Sequence, residues 1–274
     1  MKMKTIIVAT DFSQVARNAA FYAADMAKAL GKQVVLLHVY TLPVSPAEVP
    51  LAFDPDRILQ DVQEEMNKLK QQLMERTEEK VPVEVVVKMG TFYTELQTLC
   101  ERMEPYAVIM GSQGTTATER LFLGGHTAYA MRHLQWPLIT VPPERSFEGI
   151  KKIGLACDFN DVEETVPVQR IEQFAGDFHA ELHVLNVENK RDATPAVVRQ
   201  SNVLHDILQS MAPHYHYSVH PKTDEGIMEA AKELELDLLV VLPKQHDLLH
   251  SLMHKSHTRH LTMHCPVPLM ALQQ

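Results

Sequence analysis

Short apolar runs and amphipathic stretches alternate along the first half of the chain. Thr5–Ala9 is a continuous apolar run rich in β-branched residues, the pattern of a strand covered on both faces. Ser13 can cap a following helix in which Ala16, Ala19, Ala20, Ala23, Ala24 and Ala27 recur at helical spacing, and Gly31 offers a left-handed stop. Val34–Val39 predicts a second strand, and Leu42–Pro55, with four prolines, a loop. Ile58, Leu59, Val62, Met66, Leu69 and Leu73 form one face of a long helix whose opposite face is charged. Val81–Val87 predicts a third strand, Thr94–Met103 a third helix, Ala107–Met110 a fourth strand, Gly125–Leu134 a fourth helix and Leu138–Val141 a fifth strand. Such alternation favours a parallel sheet with helices on both faces.

The pattern is then written a second time. Lys4-Thr5-Ile6-Ile7-Val8-Ala9-Thr10-Asp11-Phe12-Ser13-Gln14-Val15 and Lys151-Lys152-Ile153-Gly154-Leu155-Ala156-Cys157-Asp158-Phe159-Asn160-Asp161-Val162 agree at six of twelve positions. Leu36-Leu37-His38-Val39 is answered by Val184-Leu185-Asn186-Val187, and Gly125-His126-Thr127 by Ser256-His257-Thr258. A repeat of half the chain excludes a solenoid of short units. It predicts two domains, 1–145 and 146–274, in keeping with 274 residues at a prior of about 150 per domain.

Composition narrows the partners. A hydrophobic content of 45% suits two packed cores. The N-terminal apolar run is too short for a secretory signal, and no stretch reaches the ~20 apolar residues of a membrane span, so a cytoplasmic protein with no membrane partner is expected. Cys100, Cys157 and Cys265 are widely separated and lack CxxC spacing, as buried reduced thiols would be. The net charge of −9 argues against a nucleic-acid partner. Residues 1–145 carry 15 basic and 17 acidic side chains and residues 146–274 carry 11 and 18, so net −2 against −7, and the first half is the better host for a phosphate.

Four of the ten glycines, Gly111, Gly114, Gly124 and Gly125, follow the fourth strand within fifteen residues. Without Cβ atoms, backbone N–H groups can converge on an anion there, and the second pair opens a helix whose first-turn N–H groups also suit one. Loop punctuation is the alternative role for these glycines. In a doubly wound sheet, ligands sit beyond the carboxyl ends of strands where the order reverses. Asp11 ends the first strand, Val39 the second, and Gly111 follows the fourth. Asp11 also suits a turn before Ser13, and its recurrence as Asp158 fits either role. Gln113 and Thr115 could support the loop, and Arg120 could face a phosphate or solvent.

The order strand, Gly-x2-Gly-x9-Gly-Gly, helix, joined to Ala9-Thr10-Asp11-Phe12-Ser13 and Leu36-Leu37-His38-Val39, resembles the nucleotide-binding signature of the universal stress protein family, along nearly the whole chain as a tandem pair. The resemblance implies two tandem Rossmann-like domains of the adenine nucleotide alpha hydrolase-like kind. Each would be a five-stranded parallel sheet of order 3-2-1-4-5 flanked by helices. It implies ATP or AMP as ligand, with or without Mg²⁺, and a stress-response regulator as function. Asp11 and the backbone of Thr10 and Val39 would face the adenosine; Gly111, Gly114, Gly124, Gly125 and the His126 amide would face the phosphates. Ala9, Met110, Gln113 and Thr127 complete the implied set. The family usually has a hydroxyl residue where Gly125 stands; here Thr127 follows two residues on.

The chain lacks a Gly-x4-Gly-Lys-Ser/Thr loop, a Gly-x-Ser-x-Gly elbow, a His-Glu-x-x-His pair and a Gly-x-Gly-x-x-Gly fingerprint. No catalytic residue is therefore assigned, and any ATP hydrolysis would be slow. A nucleotide-independent scaffold and a slow hydrolase or phosphotransferase are the alternative functions. In the second copy Leu242, Gln245, Lys255 and Ser256 replace the four glycines, and Pro243 removes an N–H donor. That copy is expected to be a structural and regulatory partner, pairing with the first half as two subunits of the family would, while association of two chains stays open. Twelve of the fifteen histidines lie in it. His246, His250 and His254, spaced by four, and then His257, His260 and His264 predict an exposed polar face rather than a zinc site, for which Asp247 and Cys265 would be the further ligands.

Overall fold

A computed structural model describes residues 4–41, 54–112, 126–188, 195–243 and 260–273. The first half contains β1 (Thr5–Ala9), α1 (Gln14–Leu30), β2 (Gln33–Tyr40), α2 (Pro55–Arg76), β3 (Val83–Met89), α3 (Phe92–Met103), β4 (Ala107–Gly111), α4 (helical residues 126–133) and β5 (Leu138–Val141). The second half repeats the series. It contains β6 (Lys152–Ala156), α5 (Val162–Thr165), α6 (Val168–Phe178), β7 (Glu181–Glu188), α7 (Pro195–Leu208), β8 (His214–Val219), α8 (Thr223–Glu233), β9 (Leu238–Val241), α9 (helical residues 260–264) and β10 (Leu269–Ala271).

The strands form one ten-stranded sheet of order β3-β2-β1-β4-β5-β10-β9-β6-β7-β8. Each half is thus a parallel 3-2-1-4-5 unit. The two units meet at the antiparallel pair β5–β10, where Thr140, Ile139 and Leu138 face Leu269, Met270 and Ala271. Alternate strand residues enter opposite cores. Ile6, Val8, Val34, Leu36 and Ile109 pack with α1 and α2, in a core that continues through α6 and α7. Ile7, Ala9, Val35, Leu37 and Val108 pack on the other face with α3 and α4, in a core that continues through α8 and α9.

Local chemistry sets the boundaries. Ser13 Oγ accepts from the Ala16 N–H at 3.2 Å, and Gly31 closes α1 at φ 60°. Ala16, Ala19, Ala20, Ala23, Ala24 and Ala27 of α1 are fully or almost fully buried, so the helix lies close on the sheet. Helix α2 begins at Pro55, earlier than Ile58, because Asp54 caps it by accepting from the Asp56 and Arg57 N–H groups. Strand β3 runs from Val83 to Met89 rather than from Val81 to Val87: Pro82 has no N–H to donate, and the pairing continues to Tyr40 opposite Met89. Of the loop read from Leu42 to Pro55, residues 42–53 lie outside the described residues.

The second half departs from the first at its first helix. Where α1 is continuous, Val166 and Pro167 separate the four-residue α5 from α6. A second departure lies at the sheet edge. Register places His183 and His216 where the first half has Val35 and Val86. His183 Nδ1 is 3.0 Å from His216 Nε2, and the His183 ring stacks on His214 at 5.2 Å. Burial first, then the imidazoles of His216 and His214, hold His183 below its ordinary value of 6.5, only partly offset by Glu181 at 3.5 Å. Burial and His214 lower His216 in the same direction. A base with a depressed folded pKa binds fewer protons folded than unfolded, so stability is full above the unfolded value and is lost as pH falls below about 6.5. The protection factors of residues 214–219 against hydrogen exchange, corrected for the intrinsic pH dependence of exchange, are therefore expected to fall on acidification more than those of β3, the opposite edge, and His183→Val is expected to remove most of the difference.

Candidate functional site

A cleft of about 330 Å³ opens beyond the carboxyl ends of β1, β2, β3 and β4. Ala9, Thr10, Asp11, Val39, Met110, Gly111, His126 and Thr127 all line it. Gln113, Gly114, Gly124 and Gly125, with Thr115 and Arg120, lie outside the described residues. The structure adds Ser13, Ala16, His38, Thr41, Gly90, Thr91 and Phe92 to the lining. Gly90-Thr91-Phe92 follows β3, so the rule that selected the ends of the other strands would have found it.

The wall at β1 is built by short-range bonds. Thr10 N–H donates to the Leu37 carbonyl at 2.9 Å, fastening the end of β1 to β2. Thr10 Oγ1 accepts from the Phe12 N–H at 3.1 Å, and Asp11 Oδ1 accepts from the Ser13 N–H at 3.0 Å. These bonds hold Phe12 in the left-handed region at φ 65°. Asp11 shapes the turn and also lines the cleft. His38 stacks on Phe12 with ring centres 4.5 Å apart. Arg17 Nε donates to the Phe12 carbonyl at 3.2 Å while its guanidinium pairs with Glu65 at 3.0 Å.

Two helix starts and part of a third helix reach the cleft. Ser13, the cap of α1, Thr91 and Phe92 at the start of α3, and the helical residues His126 and Thr127 of α4 line the same space. Thr91 makes no side-chain capping bond. The Phe92 and His126 rings meet edge-on at 5.5 Å and couple α3 to α4. Among the described lining residues Asp11 is the carboxylate, and there is no lysine or arginine. Among the described residues, the groups offered to an anion here are backbone N–H groups and helix dipoles.

Gly111 lines the cleft and also has a packing role. A Cβ there would lie 2.9 Å from Val15 Cγ1, 3.1 Å from the Val15 carbonyl carbon and 3.2 Å from the Ala16 nitrogen. The missing side chain is thus filled by the first turn of α1, which is brought against β4. In the second half Leu242 occupies the equivalent register, and there the helix start is the short α5. The turn after β6 keeps its form: Asp158 Oδ1 accepts from the Asn160 N–H at 3.2 Å and Phe159 has φ 53°.

The second-half histidines fall in two groups. His246, His250, His254 and His257, like Asp247, Gln245, Lys255 and Ser256, lie outside the described residues. His260 Nδ1 is 2.7 Å from Asp224 Oδ2 and the His260 ring lies 4.5 Å from His264. Among the described residues no group of three or more His, Cys, Asp or Glu is placed to hold a metal ion. Burial pushes the Cys100 thiol up to about 12 and the Cys265 thiol up to about 11, so both are thiols at neutral pH. Among the described residues no helix is long and apolar enough to cross a membrane.

A cleft at the reversal point of a 3-2-1-4-5 sheet defines a doubly wound α/β protein with its ligand space in the usual place for that class. Residues 2–142 match the model of the universal stress protein family, and the chain belongs to that family. A universal stress protein of Methanocaldococcus jannaschii is 27% identical over 143 residues, covering 50% of this chain and 81% of its own. The whole fold is similar to the crystal structure of a universal stress protein from Archaeoglobus fulgidus, with a TM-score of 0.72 at 16% identity over 98% of this chain and 96% of that one. A functionally unknown protein from Pseudomonas aeruginosa has a TM-score of 0.59 at 13% identity, over 99% of this chain and 93% of its own.

Proposed function

We propose that the chain is a stress-response regulator that binds one adenine nucleotide, ATP or AMP, in the first-half cleft. The observation that carries this reading is a cleft at the reversal point of the sheet lined both by the starts of α1 and α3 and by the acceptors of Asp11 and His38. Donors and acceptors together suit a ligand that has both phosphates and a nucleoside. Residues 1–145 form the binding domain in this reading. Residues 146–274 form its structural and regulatory partner, because Leu242 and Pro243 stand where the first half has Gly111 and the next backbone donor. Strand β10 covers the β5 edge, so the chain supplies its own second subunit. Mg²⁺ would enter with the phosphates, and this reading assigns the cleft to binding, with any ATP hydrolysis slow.

Mass spectrometry of ligand released from freshly purified protein tests this reading. Adenine nucleotide is expected. Protein that carries none and takes up neither added ATP nor AMP would instead be a nucleotide-independent scaffold.

A further inference from the structure

His38 stands in the cleft with one ring nitrogen committed and no described residue bonded to the other. Its Nδ1 lies 2.8 Å from the Thr10 carbonyl oxygen. A carbonyl only accepts, so Nδ1 carries the proton of the neutral ring and Nε2 presents a lone pair. The second half shows what the Nδ1 bond is for. Asn186, at the equivalent register, donates from Nδ2 to the Cys157 carbonyl at 3.0 Å and so ties β7 to the end of β6. An amide therefore reproduces the structural tie, and the imidazole Nε2 is what the first half has in addition. Stacking on Phe12 fixes the ring plane, and no described residue hydrogen-bonds Nε2.

Resting on the nucleotide reading above, we propose that His38 Nε2 is a specificity-determining acceptor for a hydrogen-bond donor of the nucleoside. A lone pair in a cleft that the Asp11 carboxylate also lines repels phosphate oxygens, which favours the sugar or base as its partner and leaves the phosphates to N–H groups elsewhere in the cleft. The donors available on an adenine nucleotide are the ribose hydroxyls and the exocyclic amine.

The test uses the full chain and isothermal titration with ATP, 2′-dATP, 3′-dATP and ITP, which lack in turn nothing, the 2′-hydroxyl, the 3′-hydroxyl and the 6-amino group. Wild-type protein is expected to bind ATP more tightly than the analogue that lacks the contacted donor. His38→Asn, which keeps the tie as Asn186 does, is expected to weaken ATP about five- to tenfold, the scale of a lost hydrogen bond, and to erase that discrimination. On wild-type protein, the ¹⁵N resonance of Nε2 is expected to be pyridine-type and to move on addition of ATP. Unchanged ATP affinity and discrimination in His38→Asn, or an unmoved Nε2 resonance, would overturn the His38 assignment while leaving the nucleotide reading intact. Failure of wild-type protein to bind ATP or AMP would overturn both.

Discussion

Gly111→Val is expected to abolish nucleotide binding and to lower stability by about 1–3 kcal/mol, the cost of overpacking a closed contact. The first added atom already lies 2.9 Å from Val15 Cγ1 and within 3.2 Å of α1 backbone, and valine adds two methyl groups beyond it. Either α1 or the end of β4 must move, and both form cleft walls through Ser13, Ala16, Met110 and Gly111. Titration calorimetry and a thermal melt check the two halves of this expectation. Full affinity in a protein that melts like the wild type would show that α1 can shift without disturbing the cleft.

The largest stability effect is expected at the seam between the halves. Met270 is fully buried in β10, facing Ile139 across the antiparallel pair and Val240 on the parallel side. Met270→Asp places a carboxylate there without a partner and should cost several kcal/mol, about 3–5 by analogy with uncompensated buried charges. For a protein of this size that is a fall in melting temperature of roughly 6–20 °C. Differential scanning calorimetry at neutral pH measures it. A drop of less than a few degrees would mean that the seam does not carry the joined sheet.

Much of this fold could be read in the sequence because its signals are local. Continuous apolar runs gave the strands, Ser13 and Gly31 marked the ends of α1, and the repeated Asp-Phe of Asp11-Phe12 and Asp158-Phe159 reappears as the same left-handed turn. What escaped depends on register. His183 and His216 are separated by β7, α7 and the turn into β8, and only strand pairing brings them to 3.0 Å. The role of Gly111 escaped for the same reason, since Val15 is far away in sequence. His38 was visible as part of a motif, but its bond to Thr10 is a property of two paired strand ends. The break between α5 and α6 was signalled by Pro167 and is the one local feature that a reading by analogy with α1 passed over.

The central claim is that the first half binds one adenine nucleotide and the second half none. Titration of the purified full chain with ATP and with AMP tests it most directly. The account predicts a single site per chain for the nucleotide that binds, lost in Gly111→Val. Two comparable sites per chain, or none for either nucleotide, would contradict it.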